Sequence, residues 1–296
     1  MNSFFDHRFN VFSQNGEDGI ISRLLFLISC YDKLNNHCAE FGAWDGIFLS
    51  NTFHLVKNHN YRGLYIEAND SRFQTLISNM RHYNTICLHR LVGIQSHNNL
   101  DSILSDIGFP VDFDVLSVDI DGCDFYIIQS LKKFRPKVIV VEYNPLIPNE
   151  VNFVQRCDFN VNHGSSIMAF QKLALQMSYI LIATTETNAI LVDAKYVRDE
   201  WHIVSDLHQL RPDEGRKIYA FMGFDGTLLF SQDVIKYPWL NLTFHSEDFQ
   251  AIPSHFRSYN RTIWVKFFFV LYLFLFKRYS LNKISLRSGL QWLFRK

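Results

Sequence analysis

"CAEFGAWDGIFLSNT" (Cys38–Thr52) decides the fold. It begins as an apolar run of strand type, passes through Gly42 and Gly46, and restarts on Ser50, Asn51 and Thr52, residue types that open helices. A strand, a glycine turn and a helix start in so short a space are the opening of an α/β unit. Glu40 and Asp45 stand around that turn, at the tip of the strand.

The flanking sequence repeats the alternation. Upstream, "GEDGIISRLLFLISCYDKL" carries a helical stripe of Ile20, Ile21, Leu24, Leu25 and Ile28. Downstream, strands are predicted in "YRGLYIEAND", "TICLHRLVG", "DFDVLSVDIDG" and "RPKVIVVEYNP", the last continuously apolar from Val138 to Val141. Helices are predicted in "SNTFHLVKNH", "SRFQTLISNMRHY", "LDSILSDIG", "DFYIIQSLKKF" and "GSSIMAFQKLALQMSY", and "YILIATTET" and "NAILVD" read as two closing strands. Strands that are apolar on both faces and alternate with helices predict a Rossmann-like, mostly parallel seven-stranded sheet covered on both sides. In such a sheet ligands bind beyond the carboxyl ends of the strands. Glu40 to Gly46, Glu67, Asp119 to Asp121 and Glu142 to Asn144 all stand there.

The totals limit what the ligand is. The chain has 296 residues, 48% hydrophobic and 16% aromatic, enough for a sizeable core. Its formal charge is zero, but nine basic residues and no acidic one follow Asp248, so residues 1–248 carry a net charge of −9. That body is a poor binder of nucleic acid. The five cysteines have no CxxC pair and read as reduced core residues of a cytoplasmic protein. The N-terminus shows no apolar stretch of signal-peptide length. The turn lacks the GxGxxG of a dinucleotide site and is acidic, which repels phosphate and suits a ligand carrying an ammonium and a sulfonium, as S-adenosylmethionine does. Glu67 is placed to accept ribose hydroxyls.

Five motifs in order, "FSQNGEDGII", "AEFGAWDGIFLSNT", "GLYIEAND", "LSVDIDGCDFYI" and "VVEYNP", resemble the FkbM-type methyltransferases, a branch of the class I S-adenosylmethionine-dependent fold. The resemblance spans roughly Phe12 to Asp193. It implies O-methylation, of sugars or polyketide-derived hydroxyls, with Glu40, Gly42, Asp45 and Gly46 around the cofactor and Glu67 on its ribose. Trp44-Asp45 replaces the asparagine or glycine-rich form of the family's turn. The expected organisation is a methyltransferase domain over 1–195, an accessory region over 196–255 and a basic C-terminal segment over 256–296.

Asp119, Asp121, Glu142 and Asn144 are oxygen donors of the kind that hold magnesium. Two uses stay open: a Mg2+ site that activates an acceptor hydroxyl, or a metal-free site in which Asp119 and Asp121 cap the next helix and contact the cofactor while one of the two, Asp121 foremost, acts as base, with Glu142 a further catalytic candidate. "SQNGEDG" likewise reads as a helix cap built on Ser13, Glu17 and Asp18, or as a lid in which Gln14, Glu17 or Asp18 touches the cofactor. A nucleotide- or NAD-using enzyme and a non-catalytic cofactor-binding scaffold are the competing readings.

"MGFDGTLLFS" resembles the phosphatase DxDGT loop, but Gly223 stands where its nucleophilic aspartate belongs, and a turn between strands accounts for it. His54 and His59 are five apart, off the spacing that brings two helical histidines to one metal. In the tail the apolar run Phe267–Phe276 is too short to cross a bilayer. With its basic flanks and Trp264 it reads as an interfacial helix at the inner face of a membrane, or as a docking helix. A peripheral enzyme of this kind would take a carbohydrate acceptor, a lipid-linked glycan among them.

Overall fold

A computed structural model describes residues 4–212, 218–232, 234–237, 242–250, 252–257 and 262–276. The chain packs as two units, Met1–Lys217 and Ile218–Lys296.

In the first unit, α1 (Glu17–Ser29) leads into β1 (His37–Phe41), α2 (Phe53–His59), β2 (Arg62–Glu67), α3 (Asp70–Met80), β3 (Thr85–His89), α4 (Leu100–Asp106), β4 (Val115–Val118), α5 (Asp124–Ser130) and β5 (Val138–Glu142). There follow α6 (Ile167–Gln176), β6 (Tyr179–Thr184), β7 (Asn188–Asp193) and the short α7 (Leu207–Leu210). The elements have local causes. Asn69, Asn99 and Ser166 each accept a backbone N–H of the turn they cap, at the starts of α3, α4 and α6. At the other end of α2, Asn60 turns left-handed (φ 57°) and stops the helix.

The strands form one seven-stranded sheet in the order β3-β2-β1-β4-β5-β7-β6. All pairs are parallel except those of β7, which is antiparallel to both β5 and β6. The cause lies in the sequence: only a short turn joins β6 to β7, so they must form a hairpin, and β7 slots beside β5. Strand alternation divides the core between two faces. Ala39, Phe41, Leu116, Val118, Ile139 and Val141 pack on one side, and Cys38, Val115, Val138 and Val140 on the other. Each of these side chains is fully buried, worth about 1.5–3 kcal/mol for the larger aliphatic ones. The predicted Rossmann-like, mostly parallel sheet is the fold observed.

Two expectations change in detail. Cys38 and Cys123 are buried as predicted, but Cys30 and Cys157 are exposed, because they fall at the end of α1 and in the loop after β5 rather than in strands. The region expected to be accessory, 196–255, begins inside the first unit's core, where Tyr196, Trp201, Leu207 and Leu210 are buried.

The second unit contains two hairpins, β8 (Ala220–Met222) with β9 (Leu228–Phe230) and β10 (Val234–Tyr237) with β11 (Leu242–His245), then α8 (Ile263–Phe276). "FDGT" is the β8–β9 turn: the Gly223 N–H donates to the Thr227 carbonyl (2.8 Å), and the Asp225 side chain accepts from the Thr227 N–H and hydroxyl. Of the basic tail, residues 258–261 and 277–296 lie outside the described residues.

Candidate active site

The sheet order reverses between β1 and β4, and in sheets of this kind ligands bind beyond the carboxyl ends of the strands at such a reversal. The glycine turn after β1 sits at that point. Gly42 has φ +74°, and its N–H and that of Ala43 both donate to the Ile66 carbonyl (3.1 Å each), bending the chain over β2. A Cβ on Gly42 would stand 1.7 Å from the Asp119 carbonyl oxygen, so only glycine lets the turn press against the end of β4. Trp44, also left-handed (φ 47°), donates its N–H to Glu67 Oε2 at 3.0 Å. The other oxygen of Glu67 accepts from the Asn69 N–H at 2.7 Å. Asp45 Oδ1 accepts from the N–H groups of Ile47 and Phe48 (2.9 and 2.8 Å) and staples the turn, and Gly46 (φ +79°) rests on Leu76 and Met80.

Glu40 lies beneath this turn rather than on its surface. Its Oε2 accepts from the hydroxyls of Ser50 and Thr52 (2.6 Å each) and its Oε1 from the Asn51 N–H (3.2 Å). Burial lifts the Glu40 carboxyl above the ordinary range and these donors draw it back. The Ser-Asn-Thr run is thus a clamp on Glu40 as much as a helix start.

The segment before α1 is anchored near the end of β5. Asp18 Oδ2 collects the N–H groups of Val11, Phe12 and Ser13 (2.7, 2.8 and 2.8 Å), and Ser13 Oγ accepts from the Asp18 N–H (3.0 Å). Glu17, fully buried, accepts from the Asn15 N–H (2.7 Å), the Asn188 amide (2.9 Å) and the Thr185 hydroxyl. Asn188 is paired with Glu142 in the sheet. Glu17 and Asp18 are committed to holding this strap, while Gln14 is exposed.

The acidic ends of β4 and β5 meet. β4 stops at Val118, and two residues after Asp119 the chain turns left-handed at Asp121 (φ +58°). Asp119 and Asp121 therefore do not share a side by strand alternation, which requires an extended chain. The turn brings them together instead: carboxylate oxygens of Asp119, Asp121 and Glu142 lie within 4.8 Å of one another. Asp124 fixes that turn, accepting from the N–H groups of Ile120 and Gly122 at 2.8 Å each. The crowding is electrostatically costly. Burial first, then Asp119, Asp124 and Asp121, raise the Glu142 carboxyl well above its ordinary range. Burial and then Asp121 raise the Asp119 carboxyl to about 6, while hydrogen bonds from the Asp121 backbone and with the Glu142 side chain draw it back. Asp124, wholly buried, is pushed up to about 7, by burial and then by Asp119.

Asn144 holds the exit from β5, donating to the His163 carbonyl (2.7 Å) and accepting from the Leu146 N–H (2.9 Å). The buried Gln155 accepts from the N–H groups of His163 and Gly164 (3.0 and 2.9 Å) and donates to Val161 O (2.9 Å). A Cβ on Gly122 would come within 2.7 Å of that same Val161 oxygen, so the loop between β5 and α6 walls the acidic turn. Asp124 and Gln155 were not singled out from the sequence. "DIDGCD" did place a carboxylate at the start of α5, but nothing local marked Gln155.

Residues 94–177 match the methyltransferase FkbM domain. The matched stretch carries the acidic turn, Glu142, Asn144 and Gln155, and it bears out the resemblance to FkbM-type methyltransferases. No curated protein matches the sequence. Among solved structures, TrmK of M. capricolum, in complex with S-adenosyl-homocysteine, is similar at 11% identity over 57% of this chain and 66% of its own, with a TM-score of 0.33. The METTL16 MTase domain is similar at 11% identity over 60% of this chain and 67% of its own, TM-score 0.37. An O-methyltransferase family protein from Burkholderia thailandensis is similar at 7% identity over 60% of this chain and 57% of its own, TM-score 0.37.

Proposed function

We propose that this methyltransferase transfers the methyl group of S-adenosylmethionine to a hydroxyl of a carbohydrate, a lipid-linked glycan among the candidates. One observation carries the reading: the glycine turn lies against the Asp119 carbonyl, so the cofactor turn and the carboxylates Asp119, Asp121 and Glu142 stand together at the point where the strand order reverses.

The residues fit the cofactor's chemistry. Glu67, at the end of β2, is oriented by one backbone N–H on each carboxylate oxygen, and the lone pairs that remain would accept ribose hydroxyls, while the acidic turn favours the cationic methionine end. The cofactor supplies an electrophilic methyl on a sulfonium. The chain must hold an acceptor oxygen in line with that methyl and remove its proton. Asp121, exposed at the tip of its turn, is the proposed base. Raised carboxyls at Asp119 and Glu142 mean that this pair retains a proton near neutral pH, which leaves Asp121 to act. In the alternative use, the three carboxylates in ionised form, with Asn144 as a further oxygen donor, would hold Mg2+, which would lower the pKa of the acceptor hydroxyl in place of a protein base.

Calorimetric titration of S-adenosylmethionine, with and without Mg2+, tests this. Micromolar binding that Glu67→Ala abolishes is expected. Binding of NADH in place of S-adenosylmethionine would overturn it.

Peripheral attachment to a membrane belongs to the same reading. On α8 the side chains of Trp264, Phe267 and Phe268 are exposed, and nine basic residues and no acidic one follow Asp248. Among the described residues no helix is long and apolar enough to cross a membrane. Deleting residues 260–296 should release the protein from a membrane pellet. A wild type that never enters the pellet would contradict attachment.

A further inference from the structure

On the first unit, outside this site, two histidines face one another. His54 lies in the first turn of α2 and His59 is its last residue. Their Nε2 atoms are 3.3 Å apart. Five residues along a helix put two side chains well apart on its circumference, and on that ground the spacing argues against a shared metal. The structure removes the objection, because the side chains close the gap. His54 is half-buried against the edge of Phe9 and leans out of the core, and His59 is exposed and free to lean back.

The separation suits two interactions. One is a hydrogen bond between the rings, for which 3.3 Å is within reach; the other is a shared ion. For two imidazole nitrogens on one zinc, each about 2.0–2.1 Å from the ion, a tetrahedral angle sets them about 3.3–3.4 Å apart. The ring centres are 4.9 Å apart with the planes at 76°, so the centres are farther apart than the nitrogens and the Nε2 edges face inward. The far side of His54 is also held: the Asn58 amide nitrogen lies 2.9 Å from its Nδ1, a position that the amide oxygen takes when the side chain is flipped. Turned to present its oxygen, that amide would fix the Nδ1–H tautomer and leave the Nε2 lone pair for a metal, the usual role of a ligand's outer partner. Burial, the larger effect, and then His59 lower the pKa of His54 while Asp18 raises it, and the net direction keeps its imidazole neutral and able to ligate.

We propose that His54 and His59 form a surface site for a borderline divalent cation, Zn2+, Ni2+ or Cu2+, with water completing the coordination. Imidazole donors select such ions over Mg2+, so this site and the carboxylate cluster differ in the metal they take. The ion would fix the end of α2 beneath the segment that carries Phe9.

The test is a calorimetric titration of Zn2+ into the full chain in excess Mg2+, comparing wild type with His59→Ala, Asn58→Ala and Asp121→Asn, together with imidazole 15N shifts. His59 is exposed, so its loss leaves the core intact. Zn2+ affinity should fall more than tenfold in His59→Ala, about tenfold in Asn58→Ala, and not at all in Asp121→Asn. The Nε2 resonances of both histidines should move together in wild type. Equal Zn2+ affinity in wild type and His59→Ala overturns the proposal, as does a Zn2+ response lost in Asp121→Asn, which would place the ion in the carboxylate cluster.

Discussion

The two ends of the sheet treat their carboxylates in opposite ways. At the amino end, Asp114 is fully buried beside β4 and is matched on every side: Lys137 Nζ lies 2.8 Å away, and the N–H groups of Asn36 and Asn35 donate at 2.8 and 3.2 Å. Lys137, equally buried, also donates to the Asp112 carbonyl at 2.6 Å. At the carboxyl end, Asp119, Asp121, Asp124 and Glu142 crowd together, and among the described residues no ion pair involves any of them. A fold can neutralise a buried acid when stability is all that is asked of it, and it does so within one strand's length. The unmatched cluster is where binding energy for a proton, a cation or an acceptor is kept in reserve.

The sharpest way to break the comparison is to discharge the crowded end. Glu142→Gln or Asp121→Asn should lower turnover by about 10²–10⁴-fold, the range for loss of a positioned acid or base. Folding stability should hold or rise, because Asp121→Asn removes a like charge from a repelling group and Glu142→Gln replaces a carboxyl that burial already favours in its protonated form. S-adenosylhomocysteine release with a glycan acceptor and a urea titration read the two quantities. A variant that loses stability along with activity would mean that the cluster is structural.

The matched end should respond in the reverse sense. Lys137→Met leaves Asp114 buried without its partner and should cost about 3–5 kcal/mol, seen as an earlier urea midpoint. Adding Asp114→Asn should return part of that loss, since the stranded charge is the main penalty. A loss that the second change leaves untouched would point to the packing of the lysine stem instead.

How far the sequence foretold this asymmetry follows from the range of the forces involved. The sheet was legible because its signals are local: apolar runs such as Val138–Val141, the glycine turn after Phe41, and Ser50 to Thr52 at a helix start. So were Glu67, Asp119, Asp121 and Glu142, because strand ends in an α/β alternation predict where side chains collect. What each acid bonds to was not legible. Glu17 depends on Thr185 and Asn188, far along the chain, and Glu40 on hydroxyls that lie beyond the turn. The left-handed Asp121 was hidden for a subtler reason: strand alternation and the turn both bring it near Asp119, but only the turn needs Asp124 to hold it. His54 and His59 met despite their spacing because a spacing rule describes where Cβ atoms point and not how far an imidazole reaches.

The finest distinction between the two ends is in their response to pH. Asp124 has a folded pKa of about 7 against an ordinary value of 3.8, so the folded protein holds a proton that the unfolded chain gives up. Its contribution to stability is therefore complete below about pH 4 and is lost as pH rises through 7. The raised carboxyls of Asp119 and Glu142 act with the same sign. Between pH 5 and 7 the slope due to Asp124 approaches its limit of about 1.4 kcal/mol per pH unit. Asp124→Asn should flatten the stability curve by that amount or less across this window, at the expense of one of the two backbone bonds that the carboxylate accepts. Urea midpoints of the two proteins at matched pH values give the difference directly. If their curves run parallel from pH 5 to 7, Asp124 is ionised throughout, and the crowded end is better matched than its geometry implies.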